Sequence, residues 1–383
     1  MKTEGRHREE RTRAPTGVHR RPREQDPRRD SELLAAIARV APGTDLRKGI
    51  DDIIRSRSGA LIVIGERADL EFMFSGGMRL DLPFTPQLLY ELAKMDGAII
   101  VDTELKTLAN ANVQLMPDPA IPSVETGTRH RTAERVAKQT GALVISISQQ
   151  RETVTLFMGE RRYQLDAIAD VLAKTNQAVA TVETFGQRLE QVLTRLTALE
   201  FQNAVMLDDV LVVLQRAELT TRMAALVERD YIELGSEGRL IRIRLEELMV
   251  DVPREKTAVI FDYQAANGEG SVLDVLERLG QLSYPALLES EELAEVLGYP
   301  RSVNPLDYAV TPRGLRVLSQ IPRLPENVAR RVVADLEGLD AILRASGREL
   351  EAVEGVGQAR AREIREGLRR LQEHNLVDRY LQL

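Results

Sequence analysis

Thr126-Gly127-Thr128-Arg129-His130-Arg131-Thr132 runs without a break into Ala133-Glu134-Arg135-Val136-Ala137. A permissive glycine, two hydroxyls and a basic triplet precede a stretch in which Val136, Ala137 and Thr140 share one helical face, and Gly141 stops it. The stretch is read as a helix start. Such a start presents unpaired backbone N–H groups and the positive end of the helix dipole. Two guanidiniums and an imidazole added there suit a polyanion, most simply a nucleoside triphosphate. The competing reading is a solvated loop with an ordinary helix cap.

Around this stretch strand-like and helix-like patterns alternate. Ala60–Ile64, Asp96–Val101 and Ala142–Ser148 are short apolar runs of the kind that form buried strands. Leu33, Leu34, Ile37 and Val40 repeat at helical spacing up to Pro42-Gly43. Thr44 or Asp45 caps a second helix that turns Leu46, Ile50, Ile53 and Ile54 inward, and Ser58-Gly59 breaks it. Thr85-Pro86 starts another, with proline where no N–H is needed. Thr153–Phe157 and Arg161–Leu165 read as a closing hairpin turned at Gly159. Strands separated by helices predict an α/β or α+β domain over about residues 31–165.

Beyond it the strand signal ends. Leu189, Val192, Leu193, Leu196 and Leu199 recur at steps of three and four, and apolar residues continue through Val205–Leu214 to Leu219, Met223 and Leu226. This predicts long packed helices, an all-α spine or linker over 166–312. Residues 313–383 read as a further all-α domain with short loops. Its notable stretch is Leu350-Glu351-Ala352-Val353-Glu354-Gly355-Val356-Gly357, followed by a helix carrying Arg360, Arg362, Arg365, Arg369 and Arg370. Residues 1–30 hold ten basic and six acidic residues with little apolar content, and are expected to form a disordered charged tail.

The bulk composition narrows the chemistry. The 383 residues suit two or three domains, and 43% hydrophobic content can fill their cores. A net charge of −7 means that a nucleic-acid partner would be met by a local basic patch. The chain has no cysteine, which excludes disulfides, thiolate nucleophiles and cysteine-ligated zinc. Its four histidines, His7, His19, His130 and His374, are too scattered for a multi-histidine metal cage. No apolar run is long enough to span a membrane and the hydrophilic start lacks a signal core, so a cytoplasmic protein is expected.

Asp96-Gly97-Ala98 sets a carboxylate at the start of a buried strand, followed by two minimal side chains that let a ligand approach the backbone. Such an acid can hold Mg²⁺ or Mn²⁺ and accept a proton from a sugar hydroxyl. Alone, Asp-Gly is first of all a turn. Combined with the basic triplet it supplies the other half of a phosphoryl-transfer site. In the loop expected between them, Leu115 and Met116 are candidates either to wall a purine slot or to fill the core. Ser148 either reaches a ligand or caps a loop.

Asp96-Gly97-Ala98 together with Gly127-Thr128-Arg129-His130-Arg131-Thr132 resembles the diadenylate cyclase family. The helical spine and the C-terminal helix-hairpin-helix are similar to its DNA-scanning members over about residues 31–383. The resemblance implies condensation of two ATP into cyclic di-AMP and two pyrophosphates with Mg²⁺ or Mn²⁺. It implies that Asp96 is the metal ligand and hydroxyl activator, that Gly97 and Ala98 admit the nucleotide, that Leu115 contacts it, and that Thr128, Arg129, His130, Arg131 and Thr132 bind ATP, chiefly its phosphates. It also implies an octamer with cyclase domains facing one another in the centre and DNA-binding ends outward. Branched DNA such as recombination junctions would suppress synthesis. A single half-site cannot join two nucleotides symmetrically, so self-association is expected on physical grounds as well.

Gly355, Val356 and Gly357 would turn the chain tightly and offer backbone N–H groups to a DNA phosphate, with Arg360 and Arg362 adding charge. A glycine-rich helix C-cap is the alternative. The family's hairpins come in pairs, and the candidate first one, Ile321-Pro322-Arg323-Leu324-Pro325, lacks the glycines, so DNA contact is expected of the second rather than the first. Two other functions compete: a DNA-binding scaffold that senses ATP without cyclising it, and a nucleotidyltransferase that modifies another molecule.

Overall fold

The structure, a computed structural model, describes residues 31–265 and 270–381. The charged tail expected at residues 1–30 lies outside the described residues. The chain divides into two compact units, residues 31–40 with 45–165 and residues 41–44 with 166–381.

The first unit is an α/β domain built on one mixed sheet. Its strands are β1 (Ala60–Ile64), β2 (Phe74–Ser75), β3 (Met78–Pro83), β4 (Ala98–Val101), β5 (Thr107–Leu115), β6 (Leu143–Ile147), β7 (Val154–Met158) and β8 (Arg161–Gln164). Their order is β2-β5-β4-β1-β6-β7-β8, with β3 also paired to β5. β1 and β4 run parallel, and their other neighbours are antiparallel. β1, β4 and β6 are buried at every position, which is why β1 and β4 read as unbroken apolar runs and β6 as one interrupted only by Ser146. Its longer helices are α1 (Ser31–Arg39), α2 (Asp45–Arg55), α3 (Pro86–Leu92) and α4 (Thr128–Thr140). Thr85 caps α3, its hydroxyl accepting from Leu88 N. α4 lays Ala133, Val136 and Ala137 on Leu61, Val63, Val144 and Phe157 of the sheet, and ends at Gly141 in the left-handed region.

One expectation fails here. The segment before Leu115 is strand β5, not loop. Asn110 and Asn112 hid it, because asparagine is poor strand material. The pairing with β4 is irregular, its register shifting between Ala98 and Ile100 and again before Val101, and Asn112 adopts φ +54°.

In the second unit, α5 (Ile168–Gln202) and α6 (Leu207–Leu234) form a long hairpin closed at Asn203, which takes the left-handed conformation. Leu189, Leu196, Leu207, Val210 and Leu214 fill one stretch of its core, and Val171, Val179, Val182, Val227 and Leu234 another. Five shorter helices, Leu315–Ser319, Glu326–Leu336, Leu339–Arg344, Gly347–Ala352 and Gln358–Leu381, enclose a third core. A buried polar network ties these pieces. The Arg316 guanidinium pairs with both oxygens of the Glu200 carboxylate and donates to Thr197 Oγ1 at 2.7 Å. Tyr263 Oη donates to Glu200 at 2.8 Å, and Asp262 accepts from the backbone N–H groups of Leu315 and Arg316. No helix among the described residues is long and apolar enough to cross a membrane.

Candidate active site

The sheet topology decides where the candidate residues meet. β1 and β4 are parallel with Leu61 opposite Ala98, so their amino ends share an edge. β6 runs against β1 with Ile147 opposite Ala60, and β5 against β4 with Val113 opposite Ala98. The carboxyl ends of β5 and β6 therefore reach the same edge. Asp96-Gly97-Ala98, Leu115 and Ser148 are gathered there from three strands. α4 joins them, since the Arg129 side chain lies against Gly59, just before β1, close to the Ile147 carbonyl. Residues separated by up to 52 positions along the chain thus converge on one edge.

Asp96 is exposed in the turn before β4, two residues short of the strand. Gly97 follows at φ +131°. A Cβ there would lie 2.8 Å from the Asn112 carbonyl carbon, so the close approach that this glycine permits is to β5. Ala98 is buried, and Leu115 is buried in the core beside Phe74, whereas Met116 is exposed. The Ser148 hydroxyl accepts from Arg151 N at 3.3 Å and holds the turn between β6 and β7.

α4 begins at Thr128, with Gly127 as an N-cap that makes no side-chain hydrogen bond. Thr128 is exposed and Thr132 half-buried. The half-buried Arg129 makes no ion pair or hydrogen bond with any described residue. A guanidinium left so, at a helix amino end, is poised for an anion. His130 packs edge-on against Phe157 at 6.3 Å. Burial holds its imidazole below the ordinary histidine range; Glu125 opposes the shift, and the Arg162, Arg129 and Arg151 guanidiniums reinforce it. His130 is therefore a neutral hydrogen-bonding group at pH 7, not the third cation that the triplet suggests.

The loop leading into α4 is fastened by one face of that helix. Gln139 Oε1 accepts from Asp118 N at 3.0 Å, Arg135 donates to the Ile121 carbonyl at 2.9 Å, Lys138 to that of Pro122 at 3.2 Å, and Arg131 to that of Glu125 at 3.4 Å. The buried Glu134 carboxylate accepts from Ser123 Oγ at 2.5 Å and Val124 N at 3.1 Å, and pairs with Lys138 at 3.0 Å. Positions 131, 134, 135, 138 and 139 follow helical spacing. Of this stripe the sequence motif marks only Arg131; Glu134, Arg135, Lys138 and Gln139 show their role once the loop they fasten is placed. Arg151 and Arg162, the latter paired to Glu125 at 2.5 Å, were missed because they reach the site from a turn and an edge strand.

Among the described residues no three histidine or acidic side chains cluster to hold a metal. A lone exposed carboxylate such as Asp96 fits an ion that shares its coordination with phosphate oxygens and water, as Mg²⁺ does.

The remaining candidates belong to the second unit. Gly355 turns the chain at φ +85°, Val356 is buried, and Gly357 is exposed. Arg360 donates to the Gly355 carbonyl at 2.6 Å, and Arg362 is exposed.

Residues 47–162 match the family described as DisA bacterial checkpoint controller nucleotide-binding, and residues 165–306 match the DisA bacterial checkpoint controller linker region. The DNA integrity scanning protein DisA of Acetivibrio thermocellus is 45% identical over 353 residues, covering 92% of this chain and 98% of that relative. That of Carboxydothermus hydrogenoformans is 47% identical over 345 residues, covering 90% and 98%, and that of Frankia alni 44% over 353 residues, covering 92% and 98%. With a nucleotide-binding domain, a linker region and near full-length similarity, the chain belongs to the DisA family.

Proposed function

We propose that the protein is a diadenylate cyclase that condenses two ATP into cyclic di-AMP and two pyrophosphates, and that DNA held by its C-terminal segment represses the reaction. The observation that carries the proposal is the convergence of an exposed acid, Asp96, and an unpaired cation, Arg129, on one sheet edge within a nucleotide-binding domain.

Arg129, the N–H groups at the start of α4 and the hydroxyls of Thr128 and Thr132 bind the triphosphate, with Arg131 adding charge. His130, neutral in the free site, donates a hydrogen bond to the phosphates. Gly97 and Ala98 border the nucleotide through their backbone, with Leu115 and Ser148 at its margins. Asp96 binds the metal and draws the proton from the ribose 3′-hydroxyl. Mg²⁺ or Mn²⁺ would supply charge neutralisation there, with Asp96 as the side chain that would hold it.

Each 3′-oxygen forms a bond to the α-phosphorus of the facing ATP as the bond to pyrophosphate breaks. The reaction is symmetric, so two copies must face each other across this edge. Met95 and Met116 next to the site are exposed, an apolar margin that a second copy would cover. An octamer with outward DNA-binding ends is the assembly proposed.

Residues 313–383 are proposed as the helix-hairpin-helix domain. Gly355, Val356 and Gly357 present backbone N–H groups to a phosphate, and Arg360 and Arg362 add charge. Incubating the protein with ATP and Mn²⁺, with and without a four-way junction, tests both parts. Cyclic di-AMP that falls on adding the junction is expected. No cyclic product would favour the ATP-sensing scaffold, and mixed products with added hydroxyl acceptors would favour a general nucleotidyltransferase.

A further inference from the structure

The turn Ile321–Pro325 has the same build as the Gly355 turn. Leu318, Ile321, Leu324, Ala329 and Val332 each have an apolar counterpart 32 residues on, at Leu350, Val353, Val356, Ala361 and Ile364, and all of them pack in one core. The hydrogen bonds repeat too. Leu324 N donates to the Ile321 carbonyl at 3.3 Å, as Val356 N does to Val353 at 3.0 Å. Ala329 N donates to Pro325 at 3.0 Å, as Ala361 N does to Gly357 at 2.9 Å. Arg323 stands where Gly355 stands, and takes the same left-handed conformation, φ +64° against +85°.

The two turns differ in chemistry. Pro325 replaces Gly357 and removes a backbone donor. Arg323 is exposed, and no described residue pairs with its guanidinium. A left-handed arginine is strained where glycine would be at ease.

We infer that Ile321–Pro325 is a second DNA-phosphate contact, in which the Arg323 guanidinium replaces the backbone N–H groups offered by the glycine hairpin. The inference rests on the proposal that the C-terminal segment binds DNA. A duplex or junction is the occupant favoured, because a repeated hairpin presents two contacts on one small domain and phosphates recur along a backbone.

The test uses the full-length protein and a fluorescent four-way junction, with affinity measured across a series of salt concentrations. Arg323→Gly should keep or raise the melting temperature, since it relieves strain. It should nevertheless weaken binding several-fold and lower the log–log salt slope by about one. Arg323→Lys should retain most of that slope. Unchanged affinity and slope in Arg323→Gly, in a protein whose binding is lost on bulky substitution of Gly355 and Gly357, would overturn the inference while leaving the DNA-binding proposal standing. A wild-type protein that binds no DNA would overturn both.

Discussion

The guanidinium of Arg129 lies directly over the backbone of Gly59, so that a Cβ on Gly59 would sit 3.0 Å from Arg129 Cζ and closer still to Nη1. Gly59 looks like a helix breaker in the sequence, yet its bare face is the seat of the cation. Gly59→Ala should therefore displace Arg129, whose flexible end can move, at the cost of a small shift of the Ile147 carbonyl, which would lie 3.1 Å from the new Cβ. A charge-assisted hydrogen bond is worth about 1.5–3 kcal/mol, so ATP affinity by calorimetry should fall roughly tenfold or more, with little change in melting temperature. Unaltered affinity would show that Arg129 does not bind nucleotide from this seat.

Glu134 fastens the loop before α4 through Ser123, Val124 and Lys138. These hydrogen bonds and Lys138 together outweigh the opposing effect of burial and hold its carboxyl below the ordinary range. The stabilisation is thus present above the ordinary glutamate pKa and lost as pH falls through the lowered one. Glu134→Ala leaves a backbone donor without its acceptor, a cost of about 1–3 kcal/mol. Denaturant unfolding should show that loss, and the KM for ATP should rise as the loop loosens.

His130 offers a pH signature. Its lowered pKa keeps the free site neutral there at pH 7. A bound triphosphate would favour the protonated form, so binding should take up a proton and nucleotide affinity should rise as pH drops from 7 toward 6. His130→Asn should remove that dependence. An NMR titration of the imidazole with and without an ATP analogue reads the shift directly, and an identical pKa in both states would place the phosphates elsewhere.

In the second unit, burial pushes the Asp262 carboxyl up to about 7. A raised folded pKa contributes stability that is full below the unfolded value near 3.8 and is lost as pH rises through about 7. The loss approaches about 1.4 kcal/mol per pH unit within that window. Asp262→Asn should flatten this part of the stability profile, so the variant should compare better with the wild type at pH 8 than at pH 5. Arg316→Met would strand the buried Glu200 charge, and should destabilise the unit by about 3–5 kcal/mol in denaturant unfolding.

What the sequence disclosed follows from how each feature is encoded. Ala60–Ile64, Ala98–Val101 and Leu143–Ile147 were legible because central strands must be apolar on both faces. β5 was not, since Asn110 and Asn112 break the pattern and the second takes a left-handed conformation. The two motifs Asp96-Gly97-Ala98 and Thr128–Thr132 were legible as chemistry, but their meeting depends on strand order, which spacing does not encode. The partnership of Gly59 with Arg129 was invisible, because a glycine's reason is the neighbour it admits. Ile321–Pro325 was legible as the partner hairpin of Val353–Gly357, but without its glycines the sequence pattern does not show that Arg323 takes the left-handed conformation of Gly355.

Ligands of open α/β sheets ordinarily bind at the carboxyl ends of parallel strands. For β1 and β4 that is the opposite edge, where Gly65, Glu66 and Thr103 line a cavity of about 310 Å³. A structure with 3′-deoxy-ATP and Mg²⁺, which cannot cyclise, decides between the edges. The triphosphate should lie on Arg129 and the start of α4, with the metal at Asp96 and the ribose facing a second copy. Nucleotide found at Gly65 and Thr103 instead would contradict the proposed site and the reaction built on it.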